Sequence, residues 1–263
     1  ISVSDSKASL ENIKLPYSPF EYKRRPSASV YNIGAKQVPV VIADFMLAEK
    51  VGYLDLPAIG YTYNPSTDKW AIGDAAADYI YTGDKKIDFA LPGTLKIICN
   101  HLTWLTAFDD SKYFPLFQGD DFLRVTKKSA TMNFVAIDAA KRNDQLIQKI
   151  KEDSSVVLCI YSTAANAMQS VRTFIVGLME DEINCPIILS IKSDDSFIDE
   201  QLIHFSTESG ALFLDGMGDG IWLMNDSSKL SNQKVSGRTY LQTKNNHQFI
   251  NNTSFSILQA VRT

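Results

Sequence analysis

Cysteine and histidine are scarce: the 263 residues hold three of each. Cys99, Cys159 and Cys185 stand far apart, with none of the close spacings that zinc or iron-sulfur ligation requires. Cys159 lies inside the apolar run VVLCIYS and reads as a small packed hydrophobe rather than a reactive thiol. His101, His204 and His247 are equally scattered, without an H-E-x-x-H pair, so no metal site is expected. No G-x-S-x-G elbow supports a serine hydrolase. The chain also lacks any apolar run near the roughly 18 residues of a spanning helix, and its N-terminus lacks a signal-peptide layout. A cytoplasmic protein without a membrane partner is the expectation. The formal charge of -4 gives no electrostatic reason to expect nucleic acid, and Arg24-Arg25 is the one conspicuous basic pair.

What is present is a hydrophobic content of 45%, enough for a substantial core. Residues 1–37 mix Ser, Lys, Pro and Tyr without sustained periodicity and read as a linker or arm. Compact structure is expected to begin at VPVVIADF. From Asn133 onward strands and helices alternate. NFVAID is a strand, and DQLIQKIKED is a helix capped by Asn143 with Leu146, Ile147 and Ile150 on one face. VVLCIYS is a strand; residues 166–183 form a helix carrying Met168, Val171, Ile175 and Leu178. PIILSIKS is a strand, residues 199–208 form a helix with Leu202 and Phe205 inward, and ALFLD closes the series as another strand. In the middle third KIDFALP, TLKIICN, YFPLF and FLRVTK all look like strands. Strands without polar alternation need cover on both faces, so the sheet is parallel. The expected fold is α/β: a TIM-barrel-like (β/α) domain, incomplete or irregular, over 38–226, with a doubly wound open sheet as the competing layout.

Between ALFLD and IWLMN stands Asp215-Gly216-Met217-Gly218-Asp219-Gly220. Its glycines fall G-x-G-x-G rather than in the dinucleotide spacing, no lysine completes a P-loop, and the oxygen ligands do not match an EF-hand. A barrel-type anion site built from backbone N–H groups remains open. So does the plainer reading, which is preferred: glycine for positive φ and close backbone approach, aspartate for capping. The pairs Asp109-Asp110, Asp120-Asp121 and Asp194-Asp195 read as solvated turn or cap residues.

Four stretches carry a resemblance. LFLDGMGDGIWLMN and FINNTSFSILQAVRT are similar to the segment that leads into the iron-sulfur domain of 4-hydroxy-3-methylbut-2-en-1-yl diphosphate synthases of the methylerythritol-phosphate route to isoprenoids. YKRRPSASVYNIGAKQVPVVI resembles the entry to the middle domain of the three-domain form, and LPGTLKIICN adds a weaker match; residues 109–142 match least. The resemblance covers the middle insertion only, and the chain reads as a piece of a longer protein, opening at Ile1 and running into Thr263 without a helix stop signal.

The resemblance implies an oxidoreductase in the full-length protein, with a [4Fe-4S] cluster in a C-terminal domain and ferredoxin or flavodoxin as electron donor. For this stretch it implies no catalytic, cofactor or metal residue, and an inactive spacer between substrate barrel and cluster domain. Asp215, Gly216, Gly218, Asp219 and Gly220 become a vestigial phosphate loop. Arg24, Arg25, Phe255 and Arg262 become candidate domain-interface residues, with 227–263 as the outgoing segment and helix. The alternatives are a free-standing barrel that binds a phosphorylated small molecule at Asp215–Gly220, and a regulatory module that contacts the electron donor.

Overall fold

The computed structural model describes residues 15–18, 20–106, 111–230 and 245–261. Its strands are β1 (Val40–Asp44), β2 (Tyr61–Asn64), β3 (Lys69–Ile72), β4 (Tyr79–Tyr81), β5 (Lys96–Asn100), β6 (Tyr113–Gln118), β7 (Asn133–Asp138), β8 (Val156–Tyr161), β9 (Ile187–Ser193) and β10 (Gly220–Asn225). Its helices are α1 (His101–Trp104), α2 (Gly119–Arg124), α3 (Asp144–Lys151), α4 (Ala167–Glu180), α5 (Ile198–Leu214) and α6 (Asn246–Ala260).

β1 pairs with both β10 and β4, and every neighbouring pair in the order β1-β10-β9-β8-β7-β6-β5-β4 is parallel. The expected (β/α) barrel is therefore present, and it closes. β2 and β3 form a separate antiparallel hairpin between β1 and β4.

Closure explains why the strands read as unbroken apolar runs. β7 and β8 each bury one set of side chains inside the barrel and the alternate set under the helices. Val40, Ile42, Tyr79, Ile98, Phe114, Phe134, Val157, Ile188 and Trp222 fill the interior. Val41, Ile80, Ile97, Val135, Leu158, Leu189 and Ile221 face the outer layer. The Asn143 side chain accepts from the Leu146 N–H as an N-cap should.

Four local expectations need correction. ALFLD is not a strand: α5 continues through Leu214, and the barrel strand is GIWLMN after the glycines. A four-residue apolar run carries no period long enough to separate a strand from the last turn of a buried helix. FLRVTK is likewise helical at its start, because Asp120 and Asp121 favour the first turn of α2 and Arg124 its last. KIDFALP forms no strand and instead covers the outer face, where Ile87 and Phe89 pack against the core. Leu202 is 42% exposed, while Phe205 is fully buried as expected.

Candidate functional site

In barrels of this architecture chemistry gathers at the C-terminal ends of the strands, here called the mouth. The strand period of two that places Ile42, Ile98, Ala136 and Ser190 inside also carries Asp44, Asn100, Asp138 and Lys192 to the mouth. Each is engaged by its own chain. Asp138 accepts from the Ala140 N–H (3.0 Å), the Thr163 N–H (3.1 Å) and the Thr163 hydroxyl (2.6 Å), with Lys141 Nζ at 3.4 Å. Burial pushes its pKa up, but these donors outweigh burial and hold it below the ordinary carboxylate value. Asn100 bridges the Tyr81 hydroxyl (2.7 Å) and Asp84 (2.9 Å). Lys192 lies 3.6 Å from Asp194, which also receives Lys229 at 2.9 Å.

Asp44 differs. Burial raises its pKa, only partly opposed by the Met46 N–H (2.9 Å) and the Trp222 indole N–H (3.0 Å). It lines a cavity of about 130 Å³ together with Leu47, Asn225, Ser227, Asn246 and His247. A buried carboxyl held above its usual pKa beside a cavity is the arrangement that can hold or exchange a proton. The volume falls short of the roughly 300 Å³ at which small-molecule pockets begin, and a carboxylate in the wall disfavours a diphosphate. Sequence patterns gave no sign of this site, since Asp44 and His247 meet only when β1 and α6 pack together. His247 stacks on Phe45 with ring centroids 3.8 Å apart, and Asn246 exchanges hydrogen bonds with Asn225 (2.7 and 2.9 Å).

The glycine turn lies at the opposite end, the floor, because it leads from α5 into the start of β10. Asp215 is held by Arg172 of α4 through Nε (2.8 Å) and Nη2 (2.7 Å). Asp219 is 3% exposed and accepts from Arg24 Nη2 (2.8 Å), the Ser27 hydroxyl (2.7 Å) and the Ile187 N–H (3.0 Å). The Arg25 guanidinium donates to the carbonyls of Ile183 and Cys185, and its backbone N–H donates to Gly216 O at 2.9 Å. Both carboxylates thus point at arginines of the same chain.

Gly216 has φ +74°, and a Cβ there would lie 2.5 Å from Lys23 O. A Cβ on Gly220 would meet Val40 O at 2.9 Å. These approaches account for the glycines by backbone geometry. The structure therefore brings Arg24, Arg25, Gly216 and Asp219 into one network, which sequence reasoning had treated as two unrelated features. Beyond the network, Val30 and Ile33 enter the barrel interior, the Tyr79 hydroxyl donates to Asn32, and Tyr31 lies 5.5 Å from Phe114. Phe255 is half-buried on α6 against the outer core, and Arg262 lies outside the described residues, as do Asp109 and Asp110.

The remaining sequence candidates stay apart. His204 contacts Asp195 (2.7 Å) and Glu208 (3.4 Å), and His101 Nε2 contacts Lys127 O (2.9 Å). Cys99 and Cys159 lie on different strands, and Cys185 precedes β9. Burial pushes the Cys99 and Cys185 thiols each up to about 12 and Cys159 further in the same direction. Thiols so placed do not fit an iron-sulfur cluster, which takes converging thiolates. Among the described residues no group of three His, Cys, Asp or Glu side chains is placed to hold a metal ion.

Fold and site together define a closed parallel (β/α) barrel whose mouth residues Asp44, Asn100, Asp138 and Lys192 are held by groups of the same chain and whose floor is covered by residues 24–33. Comparison with known proteins is more particular. The chain is 23% identical over 239 residues to the 4-hydroxy-3-methylbut-2-en-1-yl diphosphate synthase (flavodoxin) of Phocaeicola vulgatus, covering 91% of this chain and 33% of that protein. It is 25% identical over 240 residues to the synthase of the same name from Bacteroides thetaiotaomicron, again covering 91% and 33%. A 105-residue stretch is 31% identical to the one from Protochlamydia amoebophila, over 40% of this chain and 13% of that protein. The chain spans about a third of the length of the first two relatives. No family model matches it. The resemblance read from the sequence and these relatives agree. No helix among the described residues is long and apolar enough to cross a membrane.

Proposed function

We propose that this barrel is the inserted middle domain of a three-domain 4-hydroxy-3-methylbut-2-en-1-yl diphosphate synthase, where it acts by position rather than by chemistry. The observation that carries the reading is the extent of the match: nearly all of this chain against one third of each of the first two relatives. The mouth supports it, because its inward carboxylates are occupied by neighbouring donors and its cavity is small. The reaction assigned to the full-length protein is reductive opening of 2-C-methyl-D-erythritol 2,4-cyclodiphosphate in the cytoplasm, with electrons from flavodoxin, as the relatives' names have it, or from ferredoxin. A substrate barrel and a domain bearing a [4Fe-4S] cluster would be this barrel's partners in the same polypeptide. Holding reacting groups in productive geometry can contribute several kcal/mol to a barrier, so a rigid spacer suffices as a role.

The test uses the full-length polypeptide. Asp44→Asn and Asp138→Asn are expected to leave kcat within about twofold, a change of under ~0.5 kcal/mol in barrier. The 263-residue barrel by itself should neither turn over the cyclic diphosphate nor carry a brown iron chromophore. Turnover by the barrel alone, or a hundredfold loss of kcat in a folded Asp44→Asn protein, would refute the spacer role.

A further inference from the structure

The cavity beside Asp44 has no part in the spacer role, and its wall is of two kinds. Asp44, Ser227 and His247 supply polar groups, while Leu47, Leu223 and Ile250 supply hydrocarbon. The carboxyl is only partly satisfied: Oδ1 accepts the Met46 N–H and Oδ2 the Trp222 indole N–H, which fills two of the roughly four acceptor positions of a carboxylate. Neither donor carries a charge. Asp138 and Asp219 each face a cation of the chain, Lys141 at 3.4 Å and Arg24 at 2.8 Å. Asp44 forms no ion pair among the described residues, since Lys85, whose charge acts on it, donates to Met46 O at 2.6 Å instead. A desolvated carboxylate without a cation is costly, and a cation brought into the cavity would supply the missing charge.

The rest of the wall narrows the choice of cation. Asn225 and Asn246 hydrogen-bond each other in both directions (2.9 and 2.7 Å), and His247 is stacked on Phe45 while it donates to the Asp44 backbone. The wall is therefore built before any ligand arrives. Among the described residues no group of three His, Cys, Asp or Glu side chains is placed for a metal ion, and Leu223 and Ile250 offer a metal no ligand. They do suit an alkyl chain. The cavity's volume of about 130 Å³ approaches the roughly 150 Å³ that holds a benzene molecule. An ammonium has three donors, and the Asp44 carboxylate, the Ser227 hydroxyl and the acceptor nitrogen of a neutral His247 are three acceptors in the wall.

We propose that this cavity binds the ammonium end of a short primary alkylamine, with the charge on Asp44 and the alkyl chain along Leu223 and Ile250. A free amine and the lysine side chain of another protein share that chemistry. No step of turnover is assigned to the site, so it stands independently of the spacer reading.

Calorimetric titration of the full-length polypeptide with n-butylammonium provides the test, with n-butanol as the neutral molecule of like size. The amine is expected to bind at least about tenfold more tightly than the alcohol, and Asp44→Asn to abolish that preference. Ala48→Leu adds bulk to the cavity wall and should weaken the amine by about tenfold with the carboxyl still in place. Equal binding of amine and alcohol, an amine that does not bind, or amine binding unmoved by Asp44→Asn in a folded protein would overturn the proposal. If Asp44→Asn does not fold, undiminished amine binding by Ala48→Leu overturns it. Nα-acetyl-lysine methylamide separates the two sources: binding as tight as that of n-butylammonium assigns the site to a protein lysine, and binding of n-butylammonium alone assigns it to a free amine.

Discussion

The floor and the mouth of this barrel are held together by different kinds of contact. At the floor, Arg24 and Ser27 reach Asp219 across 195 and 192 positions of sequence, and Arg25 reaches Ile183 and Cys185 across 158 and 160. At the mouth the polar contacts are of shorter reach: some lie within one loop, as Asp138 to Ala140, Ser193 to Asp195 and Asp226 to Ser228, and others join neighbouring loops 16 to 39 positions apart, as Asn100 to Asp84, Asp138 to Thr163 and Lys85 to Met46. The indole of Trp222 on Asp44, 178 positions away, is the main long-range exception among them. The difference teaches where the fold is secured. The floor joins the first part of the chain to the last, whereas the mouth is a set of loops tied mainly to their neighbours in sequence.

The largest expected effect lies at the floor. Asp219→Ala leaves Arg25, whose side chain is only 3% exposed, without its nearby carboxylate (4.0 Å), and takes the acceptor from the Ile187 N–H. Uncompensated buried polar groups of this kind cost about 3 kcal/mol, measured as a lower denaturation midpoint in urea. Loss of under about 1 kcal/mol would show that the arm does not secure the floor.

A smaller effect, visible as pH dependence, belongs to the mouth. Burial lowers the His247 pKa below 6.5, against the opposing influence of its hydrogen bond to the Asp44 backbone and of the Asp55 charge. The unfolded chain then holds the proton more tightly. Stability is therefore full above about pH 6.5 and declines as pH falls below it. His247→Phe keeps an aromatic ring on Phe45 and should flatten that decline; a slope unchanged between pH 7 and 5 would remove His247 as its source. The smallest effect is at the rim, where Lys229→Ala removes an exposed, solvent-screened pair with Asp194 and should leave the urea midpoint essentially unchanged. A larger loss there would mean that the mouth is tied more firmly than its local contacts indicate.

Legibility in the sequence follows the regularity of the two halves. From β7 to β9 each strand is followed by a helix of eight or more residues, long enough for its apolar period to show. From β1 to β6 the connections are a hairpin, turns and helices of four to six residues, too short to carry a period. β4 has only three residues and went unseen, although Tyr79 is buried and sits opposite Phe134 at 5.5 Å. At the glycine turn the need for close backbone approach was legible. Its place at the floor was not, because that depended on whether ALFL ended a strand or a helix. The arm was harder still: Arg24 and Arg25 carry no local sign that Asp219 awaits them.

The sequence by itself determined the alternation of strand and helix after Asn133 and the need for cover on both faces of the strands. Those follow from side-chain period, which acts over a few residues. Tertiary structure alone decided that β1 joins β10 to β4, that residues 24–33 cover the floor, and that Asp44 and His247 share a cavity. Such pairings unite residues as much as two hundred positions apart, and only the closing of the sheet brings them into range.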